Sequence, residues 1–240
     1  MSNKDLPKMM HSTYFTLAMG STPANRESFI ESCAAYLSKS KGMLSFWVAE
    51  LAEDVFRLEN DRDFNISMNQ VFENQAAFDL YNSNDTSHKQ FVTEVNRWAA
   101  STGRRVLDSY LSDLIASDGR HIPASNESPR MVHSIYFSLT DNSAESIDQF
   151  TELCLKYLSN HKGVCTFAIG GVANLHRDVS ITNYDVAMNI LWQSKDSYSE
   201  YLKSQEHDDF LMASQGMISN TQVFDSYVHE TPMANPLTHN

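Results

Sequence analysis

The chain has nine histidines among its 240 residues, and four of them stand where an imidazole could do work. His207 follows Tyr201 in the stretch Tyr-Leu-Lys-Ser-Gln-Glu-His, and His88 follows Tyr81 with one more residue between them. An imidazole of ordinary pKa, about 6.5, takes or gives a proton at neutral pH. A phenol beside it would orient the ring or polarise a carbonyl oxygen. Proton transfer at His207 with Tyr201 as its neighbour is one reading of these residue types. A structural alternative stands beside it: a helix-end histidine whose ring caps the C-terminal carbonyls. His11 and His133 each open an alternating run. Each is either a ligand contact or a buried histidine satisfied by a helix or backbone group. Asp108 and Asp225 sit at equivalent places in later runs. A buried strand carboxylate needs a partner, which points to a bond to the first strand or its loop.

Other chemistries have less to stand on. His207, Asp208 and Asp209 are adjacent rather than spaced along one helix face, so no metal site is expected. Eight glycines are scattered singly except Gly170-Gly171, which reads as a bulge or turn, and no phosphate loop or other cofactor box is expected. Cys33, Cys154 and Cys165 are too few and too irregular for a disulfide framework. Cys33 and Cys154 fall on apolar helix stripes and read as small buried hydrophobes. Phe78, Tyr81, Tyr198 and Tyr201 read as core aromatics. Lys+Arg 18 against Asp+Glu 30, a formal charge of −12, argues against nucleic acid or an anionic membrane as the main partner. With no apolar leader segment either, the cytoplasm is the expected compartment.

The elements that must hold these residues occur twice. His11-Ser-Thr-Tyr-Phe-Thr-Leu17 returns as His133-Ser-Ile-Tyr-Phe-Ser-Leu139. Cys33-Ala-Ala-Tyr-Leu-Ser38 returns as Cys154-Leu-Lys-Tyr-Leu-Ser159, Lys41-Gly42 as Lys162-Gly163, and Phe46 as Phe167. Phe64-Asn-Ile-Ser-Met-Asn69 matches Tyr184-Asp-Val-Ala-Met-Asn189, and Val106-Leu-Asp-Ser-Tyr110 matches Val223-Phe-Asp-Ser-Tyr227. The offset drifts only from 122 at His11 to 117 at Asp108, so a whole domain is duplicated. Residues 9–112 and 130–229 are the expected copies. Residues 113–129, with Asp118-Gly119, Pro123 and Pro129, form the expected linker, and 230–240 the tail.

Each copy reads β-α-β-β-α-β. The His11 run alternates with period two, hence a strand. Pro23, then Phe29, Cys33, Tyr36 and Leu37, describe a helix with a proline in its first turn, ending at the Lys-Gly pair. Met43–Val48 and Val164–Ile169 read as second strands. Phe64–Phe72 and Tyr184–Trp192 read as third strands, with Phe64, Ile66, Met68, Gln70 and Phe72 on one face. A helix around Phe78 and Tyr81, or Tyr198 and Tyr201, continues through Phe91 or Phe210. Such a unit is α+β, a four-stranded antiparallel sheet with helices on one face and a bare second face. Two copies bury that face by packing sheet on sheet as an internal pseudo-dimer, with further homo-oligomers open. Asn65, Ser67, Asn69, Asp185, Ala187 and Asn189 would lie inside, as hydrogen-bonded polar pairs across the pseudo-twofold.

On these residues both copies resemble the stress-responsive A/B barrel domain, a dimeric α/β barrel family of the ferredoxin-like superfamily. The resemblance rests on features in order, found twice: a His opening the first strand, a Gly after the first helix, an aromatic second helix with Tyr and His, and a terminal strand with Asp. Both copies carry Lys where the family often has Pro before that Gly. The resemblance implies a small apolar or aromatic ligand between sheet and helices, with His133, His11, Tyr81 and His88 as contacts. One plant member closes a polyketide ring by aldol condensation. On that likeness the chain would be a cofactor-free cyclase or lyase with His207 and Tyr201 at the pocket, although Val186 replaces a further pocket histidine. Related dimeric barrels also suggest a monooxygenase-like protein, a haem-handling or quinol oxygenase.

Overall fold

The computed structural model describes residues 6–18, 22–95, 99–116 and 128–229. Residues 117–127, within the expected linker, and the expected tail, 230–240, lie outside the described residues. The first copy runs β1 (Lys8–Leu17), α1 (Pro23–Leu37), β2 (Met43–Leu51), β3 (Ile66–Phe72), α2 (Gln75–Asn84), α3 (Thr86–Val95) and β4 (Ala99–Ala116). The second runs β5 (Met131–Leu139), α4 (Ala144–Leu158), β6 (Val164–Val172), β7 (Val186–Trp192), α5 (Lys195–Tyr201), α6 (Gln205–Ala213) and β8 (Ile218–Val228). Residues 113–116, expected to begin the linker, are strand.

Each sheet has the ferredoxin-like order, β4-β1-β3-β2 and β8-β5-β7-β6, antiparallel throughout. The sheets do more than face each other. β2 pairs with β8 and β4 with β6, closing eight strands into one barrel. Closure leaves no unpaired strand edge and encloses the face that a lone copy would leave bare.

The enclosed face is mixed, as its alternating polar residues require. Ser12 Oγ donates to Asn69 Oδ1 at 2.8 Å, and Asn189 Nδ2 donates to Asn69 Oδ1 at 3.1 Å and to Ser134 Oγ at 2.6 Å. The Tyr14 and Tyr136 hydroxyls meet at 3.1 Å, and Ser67 Oγ donates to Ser226 Oγ at 2.9 Å. Asn65 and Asp185 stand just ahead of their strands, and their side chains accept from the backbone N–H of Leu17 and Leu139. Phe64, expected to share a face with Ile66, packs inside the barrel with Tyr184 instead. Regular alternation begins only at Ile66 and Val186.

Outside the barrel, each sheet buries an apolar layer under its helices. Phe15, Phe29, Cys33, Met68 and Phe91 build one, and Phe137, Phe150, Cys154, Met188 and Phe210 the other. Burial pushes the Cys33 and Cys154 thiols up in pKa, so both stay protonated and act as packing groups. Thr22 caps α1 with Pro23 following, and Ser143 caps α4. Both helices stop at Leu37 and Leu158, ahead of the Lys-Gly pairs expected to end them. Gly42 and Gly163 instead take φ of 78° and 93° in the turn that follows, where a Cβ would strike Ala77 and Ser197. Gly170 lies within β6, opposite a register shift in β4 between Leu111 and Asp113. The bulge expected at this glycine pair lies on the facing strand, whose Tyr110 carbonyl would meet a Gly170 Cβ at 1.9 Å.

Candidate functional site

Strand register sets the central pairs. His11 stands opposite Asp108 across β1 and β4, and His133 opposite Asp225 across β5 and β8. In both, imidazole Nδ1 lies 2.6 Å from carboxylate Oδ1. All four residues are buried. The strand carboxylates thus find the first-strand partner expected of them.

The second oxygen of each carboxylate also accepts from the other copy. Asp225 Oδ2 accepts from Arg57 Nη2 at 2.8 Å, from Asn60 Nδ2 at 2.7 Å and from the Tyr198 hydroxyl at 3.3 Å. Arg57 and Asn60 sit between β2 and β3 of the first copy. Asp108 Oδ2 accepts from Arg177 and, at 3.4 Å, from Ser180 Oγ, both between β6 and β7 of the second. These connections dock along the opposite copy's last strand. Asn60 bridges Val223 and Ser180 bridges Val106, both in parallel register. His176, just before Arg177, has a positive φ of 52°, an uncommon backbone for a non-glycine residue that aims this turn. Arg57 and Arg177 were not nominated from the sequence. Their signal was present, because their offset of 120 equals that of Phe64 and Tyr184.

Electrostatics settles the tautomer. Burial pushes the Asp225 carboxyl up, but His133, Arg57 and Asn60 outweigh it and hold it down at about 2. Asp108 likewise falls below the ordinary carboxylate value, because His11 and Arg177 overcome its burial. An ionised carboxylate only accepts, so each Nδ1 carries the proton it shares. Burial lowers the His133 pKa despite Asp225, so this imidazole is neutral at pH 7, with its lone pair on Nε2. In the first copy Nε2 lies 3.3 Å from Thr13 Oγ1. In the second, Ile135 takes that place on the strand.

The helices bring the remaining nominated residues over these pairs. Tyr201 and His207 meet as rings, centroids 4.9 Å apart and 75° between planes. Among the described residues no hydrogen bond joins them. His207 is not a C-terminal cap. It lies in the first turn of α6, its backbone N–H donating to the N-cap Ser204 at 3.2 Å. Burial lowers the His207 pKa, and a charge on His133 would lower it further. Tyr81 and His88 repeat the pair at 4.3 Å, and Tyr81 lies 6.2 Å from the His11 ring. Burial, then His11, brings the His88 pKa down to about 4. Tyr198, read as a core aromatic, is also a hydrogen-bond donor to Asp225. Among the described residues no three His, Cys, Asp or Glu side chains converge to hold a metal, and no helix is long and apolar enough to cross a membrane.

No family model matches the chain, and no curated protein matches it in sequence. Solved structures do match in fold. A "putative monooxygenase" from Fusobacterium nucleatum superposes with a TM-score of 0.70 at 14% identity, covering 93% of each chain. One from Lactobacillus acidophilus gives 0.65 at 14% identity, covering 92% of this chain and 94% of that one. An anthrone oxidase-like protein gives 0.60 at 12% identity, covering 96% and 94%. The fold is that of two fused ferredoxin-like repeats. At such identities the likeness extends to architecture and not to chemistry.

Proposed function

We propose that this chain binds a small aromatic or apolar molecule between sheet and helices, and that its buried His–Asp pairs accept a proton from it. The observation that carries this reading is an imidazole whose Nδ1 is held at 2.6 Å by a buried carboxylate, built twice. Carboxylate-held imidazole is a competent general base at its free nitrogen. A substrate of matching chemistry is an aromatic ketone or β-keto compound with an acidic C–H. Imidazole Nε2 takes that proton, and the C–H electron pair moves onto the carbonyl oxygen as an enolate. Attack of the enolate carbon on a second carbonyl would then close a ring, and the alkoxide that forms would take back the proton held on Nε2. The base in this scheme is His11 or His133, because these have the carboxylate partner. Tyr81 and His88, or Tyr201 and His207, lie on the ligand side.

The ordered motifs found in both copies support a tandem member of the stress-responsive A/B barrel family. A second reading, oxygenation of the same carbanion by dioxygen, is favoured by the neighbours described as monooxygenases and anthrone oxidase-like. Both readings share the first step, so one experiment tests them together. Anthrone has a doubly benzylic CH₂ in the same ring as its carbonyl, and loss of its proton gives an enolate conjugated through the flanking arenes. In D₂O buffer the protein should accelerate loss of its methylene proton signal, and Asp108→Asn and Asp225→Asn combined should remove that acceleration. Exchange no faster than with an equal concentration of free imidazole would contradict the proposal.

A further inference from the structure

The two sheet–helix sites are not equivalent, and the differences follow strand register. The position beside His11 on β3 is Gln70, whereas the position beside His133 on β7 is Ile190. Opposite Phe15 on β4 stands Arg104, and opposite Phe137 on β8 stands Thr221. Phe72 in the first copy becomes Trp192 in the second. The Trp192 ring lies 4.8 Å from Tyr201 and 6.1 Å from Tyr198, filling space over the second sheet.

The first site has the more polar lining. Gln70 is fully buried beside the Tyr81 hydroxyl, yet neither its amide nitrogen nor its amide oxygen makes a hydrogen bond of normal geometry. His88 Nδ1 is buried and unpartnered as well. A buried amide left unsatisfied costs about 1–3 kcal/mol, which a ligand supplying the missing partner would recover. Arg104 lies within electrostatic reach of Tyr81, His88 and Arg177. The acidic groups facing this cluster are already engaged. Asp108 is held by His11 and Arg177, and Asp85 accepts from Ser40, Ser87 and His88.

We infer that the first copy alone carries the ligand site, and that it takes a small aromatic molecule with an anionic oxygen group, a carboxylate or enolate, received by Gln70 and Arg104. The ring would pack against the cluster of Phe72, Phe78 and Tyr81, which already touch one another with centroids 5.1–6.1 Å apart. This deepens the proposal above by sharing its ligand position, but it does not depend on proton transfer. Anthrone exchange without anion binding would sink this inference alone, and anion binding without exchange would sink only the base role.

The test is a fluorescence titration of the full chain with 1-hydroxy-2-naphthoate, with its methyl ester as the uncharged control. Expected are one bound naphthoate per chain, weaker binding of the ester, and a loss of about ten- to a hundredfold in affinity for Gln70→Leu. Trp192→Phe in the second copy should leave stoichiometry and affinity unchanged. If Gln70→Leu does not fold, Arg104→Gln is judged by the same loss of affinity. Two equivalents per chain, unchanged affinity in the first-copy variant, loss of binding in Trp192→Phe, or no binding at all would each overturn the inference.

Discussion

Arg57, carried by the first copy, donates to the buried carboxylate of Asp225 in the second at 2.8 Å. Arg177 returns the contact to Asp108. Each half therefore completes the charge balance of the other's histidine pair, and neither site is whole in an isolated half.

Removing this contact should destabilise the whole barrel. Arg57→Met keeps the apolar stem but leaves Asp225 with less compensation. Because the Arg57 side chain is 27% exposed and Asp225 almost fully buried, a loss of about 1.5–3 kcal/mol is expected. Urea unfolding followed by fluorescence and by circular dichroism should give one coincident transition at lower midpoint. Two separated transitions would contradict the mutual dependence of the copies.

Stability should fall on acidification in two stages. Burial lowers the pKa of His88, His133 and His207, His88 to about 4. The unfolded chain binds protons from about pH 6.5 downward that the folded chain refuses, so stability drops as pH falls through that window. Asp225, held at about 2, contributes stability above its unfolded value, near about pH 4, that is lost as pH falls towards 2. Urea midpoints measured from neutral pH downward should decline, and His88→Gln should flatten the first stage. A midpoint constant or rising between neutral pH and about pH 4.5 would contradict the assignment.

Gly170 and Gly216 should respond oppositely to the same small change. A Cβ on Gly170 would sit 1.9 Å from the Tyr110 carbonyl oxygen, on a backbone fixed by the barrel. Gly170→Ala should cost at least about 2 kcal/mol or prevent folding. Gly216 has φ of 81° but nothing near its missing Cβ, so Gly216→Ala should cost only about 1 kcal/mol. Thermal unfolding of both variants checks the contrast, and equal losses would contradict the close approach at β4.

Strand pattern made the barrel and half of the site readable. Period-two alternation placed His11 and Asp108 within two strands of one sheet, and the repeat placed their counterparts. Loops have no period, so Arg57 and Arg177 escaped notice although their shared offset marked them. Tyr198 looked like core because a phenol's apolar body hides its polar tip. His207 was open to a capping reading because the break between α5 and α6 rests on Ser204, one serine among many. Phe64 followed the strand's parity on paper, while the real strand starts two residues later.

The polar barrel interior should behave as one coupled unit. Asn69 receives from Ser12 and Asn189 at once, with every group buried. Asn69→Ala and Asn189→Ala should each destabilise by about 1–3 kcal/mol, while the double variant costs less than their sum. A double-mutant cycle of unfolding free energies measures the difference, and strict additivity would contradict the cross-sheet bond.

The most direct measurement is the protonation state of the two central histidines. Imidazole ¹⁵N chemical shifts of the intact protein at neutral pH, with His11→Gln and His133→Gln for assignment, report which nitrogen holds the proton. His133 should be neutral with its proton on Nδ1, and Arg57→Met should perturb His133 while leaving His11 unchanged. A His133 that is cationic at neutral pH, or protonated on Nε2 instead, would contradict the carboxylate-held neutral imidazole on which the base role rests.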